Sequence, residues 1–353
     1  MNILFFSRLF YPHIGGVEKH VMEISKILIG NGNKVTVITE KIPGTQDKEL
    51  IEGINIKRIS VGKDNWFKKF RIWREIWRYR DLIINADVIH AHDIFFWYLP
   101  LRFIFPFRKV YATFHGYEGN QIPGFKAKFM HKIAEKLSNG NICVGDFLKK
   151  WYGTKPDYVT YGAVNKIQNS SRFNRDKIQN YNSKVKILFV GRLEEETGAM
   201  EYLKALKILK KKKYQYEIII LGDGSSRRKA ENYAKSYSLN AKFIGFVGNV
   251  GKYFRNCDFV FVSRYLGILE AMSFKKFVFA VYNNEIKKDY LEMAPFSKFI
   301  STSKNSEDLS GQIEYYLKND KKRNELNVRG FNWVKNETWE KMTSLYIGLW
   351  NKE

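Results

Sequence analysis

The chain is poor in cysteine, with Cys143 and Cys257 the two among 353 residues. Each lies in or beside an apolar segment and neither shows metal-ligand spacing, so both read as reduced core thiols of a cytosolic protein. A Gly-x4-Gly-Lys-Ser/Thr loop is absent, which argues against an ATPase. Absent too is an Asp-x-Asp pair of the kind that holds a metal with a nucleotide. The longest apolar run, Phe95 to Phe107, is interrupted by Pro100, Arg102 and Pro106 and is too short to span a bilayer. No charged-then-apolar leader precedes the first strand-like run, Asn2 to Ser7, so no secretory signal is expected. Acidic residues are scarce beside basic ones: 36 Asp and Glu against 60 Lys and Arg, a net charge of +24. That excess implies a polyanionic partner: nucleic acid, an anionic membrane face or phosphorylated substrates.

What is present is a long alternation of strand and helix patterns, with 44% hydrophobic and 16% aromatic residues to bury. Such alternation predicts an α/β protein with doubly wound parallel sheets, and the length predicts two domains. The expected division is a first Rossmann-like domain over 1–164, an Asn/Ser-rich linker over 165–183, and a second Rossmann-like domain over 184–330. A terminal helical segment, 331–353, crosses back to the first domain. The two sheets are expected to face a cleft.

Several strand ends carry chemistry. Gly15 and Gly16 precede a helix, where bare backbone and free N–H groups favour an anion; a flexible turn is the plain alternative. His90, His92 and Asp93 cluster at one strand end, and His115 with Gly116 at another. For the first cluster a structural or hydrogen-bonding role is favoured over a metal, because no further strong ligand is placed by the sequence. Val190 to Gly198 brings Arg192 into a loop before a helix, where a cation can face a diphosphate. Asp258 to Ala280 reads as a βαβ unit with Arg264 at its turn and Glu270 inside an apolar helix, a costly place for a carboxylate unless it is paired or reaches a cleft.

Together these segments resemble glycosyltransferase family 4 (glycosyl transferases group 1), as a divergent branch. The opening FYPHIGGVEKHVMEISKIL, the TFHG at His115, and Leu269-Glu270-Ala271-Met272 carry the resemblance. Gly-Arg-Leu from Gly191, Leu221 to Gly224, Phe243 to Phe246, Tyr161 to Val164 and Asn332 to Trp339 extend it over nearly the full length. Two positions depart from the pattern. The first glutamate of the Glu-x7-Glu motif would fall at Val262, in a segment that looks shortened by a few residues. Thr197 stands where the family has lysine.

The resemblance implies a GT-B fold and a retaining, metal-independent transfer of sugar from a nucleotide-diphosphate donor to a polysaccharide or lipid-linked acceptor, with no cofactor. It implies that Arg192 meets the departing diphosphate, His115 positions the transferred sugar, and Glu270 holds the ribose. Gly15, Gly16, Gly191, Gly267 and Phe246 complete the donor set, and Arg264 is the candidate substitute for the missing lysine.

Trp66 to Arg80 reads WFKKFRIWREIWRYR, which on one helix puts Trp66, Phe70, Trp73 and Trp77 in a stripe beside Arg71, Arg74 and Arg78. The plain alternative is that the tryptophans form the core stripe. With Lys68, Lys69 and two further basic apolar segments (99–109 and 124–136), the expectation is a peripheral contact with an anionic membrane on its cytoplasmic face. Nucleic acid ranks well behind, since no recognition motif is present. The rival from another class is a non-catalytic, membrane-associated binding or scaffold subunit with a degraded donor site.

Overall fold

The computed structural model describes residues 1–116, 122–166 and 184–352. Residues 167–183 of the expected linker lie outside the described residues. The chain divides into two compact units, one built mainly from Met1 to Tyr161 with the C-terminal segment from Trp339, the other from Gly162 to Thr338.

The first unit holds an eight-stranded sheet of β1 (Asn2–Ser7), β2 (Lys34–Glu40), β3 (Lys48–Ile51), β4 (Ile54–Ile59), β5 (Val88–His92), β6 (Val110–Phe114), β7 (Gly140–Val144) and β8 (Tyr158–Thr160). Their order is 3-4-2-1-5-6-7-8, parallel except where β3 runs antiparallel to β4. The central strands are buried on both faces, so they read as continuous apolar runs rather than alternations. The second unit holds β9 (Val185–Val190), β10 (Tyr216–Leu221), β11 (Ala241–Gly245), β12 (Phe259–Phe261), β13 (Phe277–Val281) and β14 (Ser301–Ser303). All are parallel, in the order 11-10-9-12-13-14.

Strand order reverses beside β1 in the first sheet and beside β9 in the second. Open α/β sheets bind ligands at the carboxyl ends of the strands flanking such a switch point. Those ends are β1 and β5 in the first unit, and β9 and β12 in the second. Cys143 and Cys257 are both free and buried, and burial pushes both thiols up to about 12. No described helix is long and apolar enough to cross a membrane.

Three elements differ from the expected pattern. The basic aromatic stretch forms two helices, Lys68–Trp77 and Arg80–Ile84. The terminal segment is also two: Asp320–Val334 belongs to the second unit and Trp339–Trp350 to the first. A helix over Glu285–Glu292, absent from the expected pattern, is started by the Asn284 side chain accepting from the Lys287 N–H at 2.8 Å and buries Ile286, Lys287, Tyr290 and Leu291.

Candidate active site

In the second unit, β9 ends at Val190 and the chain turns through Gly191, whose φ of +154° suits glycine. The bend is crowded: a Cβ on neighbouring Gly222 would lie 1.9 Å from the Gly191 carbonyl oxygen. Arg192 follows, half exposed, and its Nη2 donates to Glu196 Oε1 at 2.9 Å. At the end of β12, Arg264 reaches the same Glu196 Oε1 at 3.0 Å. Two guanidiniums from the two strand ends of the switch point therefore converge on one carboxylate oxygen. An acceptor oxygen of a phosphate could occupy that place with the same donors.

The two departures from the family pattern have structural explanations. Thr197 is buried, and its hydroxyl donates to the Arg192 and Glu194 carbonyls at 2.7 and 2.8 Å while accepting from the Glu194 N–H at 3.3 Å. It is a capping residue that fixes the Arg192 loop and carries no charge. Val262 is 2% exposed, and one of its methyls would stand 2.6 Å from a Cβ placed on Gly267. Gly267 thus has a packing reason to lack a side chain: it lets the helix Tyr265–Ser273 close over Val262. Glu270 is half-buried on that helix between buried Leu269 and Ala271, and Phe246 is exposed beyond β11.

Sequence reasoning missed Lys287, which is fully buried behind the Arg264 turn, its amine donating to the Ser263 carbonyl. Burial, the nearby Arg264 charge, and only partial relief from Glu196 hold it well below the ordinary lysine range. The Asn284 cap was the available signal for its helix.

In the first unit, Gly15 caps the helix Gly16–Gly30, and a Cβ there would fall 2.3 Å from a carboxylate oxygen of Glu18. Glu18 folds back over the helix start and bonds His13 at 2.9 Å, so Gly15 makes room for this protein carboxylate. Behind it lies a buried relay. The Trp350 indole donates to His90 Nδ1 at 3.1 Å, His90 Nε2 meets Thr113 Oγ1 at 2.7 Å, Thr113 meets the Tyr346 hydroxyl at 2.7 Å, and Tyr346 meets His20 Nε2 at 2.8 Å. An indole N–H only donates. Neutral His90 must then donate from Nε2 to Thr113; with Thr113 donating to Tyr346 and Tyr346 to His20, the His20 proton sits on Nδ1. Burial keeps these rings neutral: His20 is pushed down to about 3 and His90, His92 and His115 well below the usual histidine value.

His92 Nδ1 and His115 Nε2 share a hydrogen bond of 2.9 Å, and Asp93 accepts from the His115 backbone N–H at 2.7 Å. His20, His92 and His115 offer ligand atoms within 4.8 Å of one another, a spacing open to a metal ion. Two of the rings bond each other, while His92 Nε2 is a buried nitrogen with no hydrogen-bond partner. His90 serves the relay, buried between Thr113 and Trp350.

The basic aromatic helix resolves in favour of an outward stripe. Ile72 and Ile76 are its buried face, whereas Trp66, Phe70 and Trp77 are 74%, 50% and 42% exposed. Trp73 departs from the stripe, being half-buried with its indole N–H on the Phe96 carbonyl at 2.9 Å. Lys69 sits 4.4 Å over Trp66, and Lys68 faces Asp64 at 3.5 Å. Arg74 and Arg78 are exposed beside Glu75. Arg71 is a correction to the expected contact set: it turns inward to the Val61 and Lys63 carbonyls and braces the preceding loop. Phe103, Phe107, Phe125 and Phe129 on the other two basic segments are also exposed.

Comparison with known proteins agrees with this architecture. The family described as "Glycosyl transferases group 1" matches residues 170–333, and "Glycosyltransferase Family 4" matches residues 14–156. An uncharacterized glycosyltransferase of Methanocaldococcus jannaschii is 22% identical, covering 94% of this chain and 93% of its own. Among solved structures, sucrose-phosphate synthase from Thermosynechococcus elongatus has a TM-score of 0.77 at 16% identity, covering 99% of this chain and 98% of that one. WaaG, a glycosyltransferase involved in lipopolysaccharide biosynthesis, has a TM-score of 0.67 at 14% identity, covering 97% and 99%. Both share the fold, which is GT-B.

Proposed function

The chain belongs to the group 1, family 4 glycosyltransferases, and from that premise we propose that it is a retaining, metal-independent enzyme. It moves a sugar from a nucleotide-diphosphate donor to a polysaccharide or lipid-linked acceptor at the cytoplasmic face of a membrane. The observation that carries this reading is the shared Glu196 oxygen, which marks where Arg192 and Arg264 hold an anion. When the bond between sugar and diphosphate breaks, negative charge grows on the departing phosphate oxygens. Two guanidiniums already aimed at one point stabilise that charge, the largest single contribution many active sites make. Glu196 gives up the guanidiniums to the diphosphate and recovers them when it leaves.

Glu270 receives the ribose hydroxyls, Phe246 lies under the base, and Gly191 lets the loop approach the phosphates. In the first unit His115 positions the transferred sugar, and Gly16 opens the helix whose N–H groups meet the donor. The outward Trp66, Phe70 and Trp77 with their lysines and arginines suit the headgroup zone of an anionic bilayer, which explains where the positive charge is spent.

The test is a panel of nucleotide sugars scored by thermal stabilisation and hydrolysis, with and without EDTA. One donor should protect the protein irrespective of EDTA, and Glu270→Ala should abolish the protection. A chain that responds to no donor is the scaffold subunit instead. Sedimentation with phosphatidylglycerol vesicles tests the surface: replacing Trp66, Phe70 and Trp77 together by serine should lower binding at least about tenfold. Unchanged binding would remove the membrane from the proposal.

A further inference from the structure

The turn that presents Arg264 is gripped from behind by the helix Glu285–Glu292. Lys287 donates to the Ser263 carbonyl. The Tyr290 hydroxyl accepts from the Tyr265 N–H at 2.8 Å, and the Tyr265 hydroxyl bonds back to the Tyr290 carbonyl. The two tyrosine rings stack at 3.9 Å, and Tyr290 has the Lys287 amine at 4.4 Å and the Arg264 guanidinium at 6.0 Å from its ring centre. Ser263 is held on its other side too, its hydroxyl against Tyr202 at 2.6 Å and the Val281 N–H at 3.0 Å. The turn is thereby held at both the carbonyl and the hydroxyl of Ser263.

A fully buried lysine is an expensive way to satisfy one carbonyl. No carboxylate among the described residues pairs with its amine. The charges that act on it are Arg264 from the turn, which opposes a positive amine, and Glu196 from the β9 loop, which favours one. Tyr290 and Tyr265 present ring faces and backbone-bonded hydroxyls, and Tyr202 reaches it only through Ser263. With Thr197 committed to capping, Lys287 is the amine left beside the arginine pair.

Resting on the donor-site reading above, we propose that Lys287 is the positioning residue for Arg264, and that it gains a proton when a diphosphate enters. The amine sets the turn through the Ser263 carbonyl while the site is empty. Burial first and the Arg264 charge second disfavour a positive amine, and an incoming diphosphate offsets the second. A proton from solvent then converts the amine to an ammonium, giving the site a third positive group in place of the lysine missing at position 197.

Calorimetry of the full chain with UDP, GDP and ADP, in Pipes and in Tris, tests this. For the nucleotide that binds, Lys287→Met should weaken binding about tenfold or more, comparably to Arg264→Ala. The double variant should be no weaker than Arg264→Ala alone, since both act through one turn. The wild type should take up a proton on binding, read as a heat that differs between buffers, and Lys287→Met should not. Tyr290→Phe, which keeps the ring but loses the hydroxyl, should weaken binding while retaining proton uptake, and serves if the methionine variant fails to fold. Wild-type affinity in a folded Lys287→Met or Tyr290→Phe protein, multiplicative losses, or equal heats in both buffers overturn the inference while leaving the donor site standing. Failure of every nucleoside diphosphate to bind the wild type overturns both.

Discussion

All six histidines of the chain belong to the first unit and none to the second. At their strand ends the two units use opposite electrostatics. The first packs neutral imidazoles, a tyrosine and an indole into a dry relay whose order depends on donors meeting acceptors. The second holds Arg192 and Arg264 half in water on a shared carboxylate. A neutral relay tolerates burial but fails when protonated. A guanidinium keeps its charge at any working pH and needs solvent or an anion to bear it. One plan of strand and helix thus supports a buried neutral hydrogen-bond network and a half-exposed pair of guanidiniums.

Acid should separate the two most sharply. Five histidines of the first unit are held neutral by burial, with His20 down to about 3 and His131 to about 4. Unfolded, each binds a proton below about 6.5, so the unfolded state holds more protons and stability falls as pH drops from about 6.5 toward those lower values. The slope is about 1.4 kcal/mol per pH unit for each proton. In the second unit Lys287 has the same sign and contributes one proton at most. Its depressed carboxylates, such as Glu217 and Glu194, lose stability only below about 4.5. Hydrogen-exchange protection should therefore fall first in β5 and β6 between pH 6.5 and 4.5, while β9 and β10 stay protected. Simultaneous loss in both sheets would erase the contrast.

On the charged side, Arg192→Ala should cut turnover of the accepted donor about 10²- to 10³-fold, the usual worth of one fixed donor to developing charge. Arg264→Ala should cost about as much, because both guanidiniums meet the same oxygen. Rates measured across the acid window should show the loss to be independent of pH. A loss under twofold for either would mean that Glu196 holds that arginine for the fold and not for a ligand.

Much of this comparison was legible in the residues. Strand and helix alternation gave the two sheets, and Arg192 and Arg264 stood out because each ends an apolar run. Periodicity could not tell which of two stripes on the Lys68–Trp77 helix would be buried, since Ile72 with Ile76 and Phe70 with Trp77 are both apolar. Packing chose the compact isoleucines. Nor could the sequence show that Thr197 caps a loop, that Val262 lies over Gly267, or that Gly15 makes room for Glu18. Those are contacts between segments. Lys287 stayed hidden because a lysine followed by Lys288 and Asp289 on a short helix reads as surface.

The smallest expected effect tests the neutral side. Trp350 is the residue of the relay that can only donate, so it fixes the His90 proton on Nε2 and starts the run of donors toward His20. Trp350→Phe keeps most of the ring volume and leaves His90 Nδ1 without its donor, at a cost of about 1–3 kcal/mol in stability. The relay can then run either way, with His20 carrying its proton on Nδ1 or on Nε2. Nitrogen-15 shifts of the His20 ring should show a single Nδ1–H form in the parent protein and a mixture in the variant. Binding of a nucleoside diphosphate at the proposed Arg192 and Arg264 site should not change. An unaltered tautomer in a folded variant would show that packing around His20, and not the indole at the far end of the relay, decides where its proton sits.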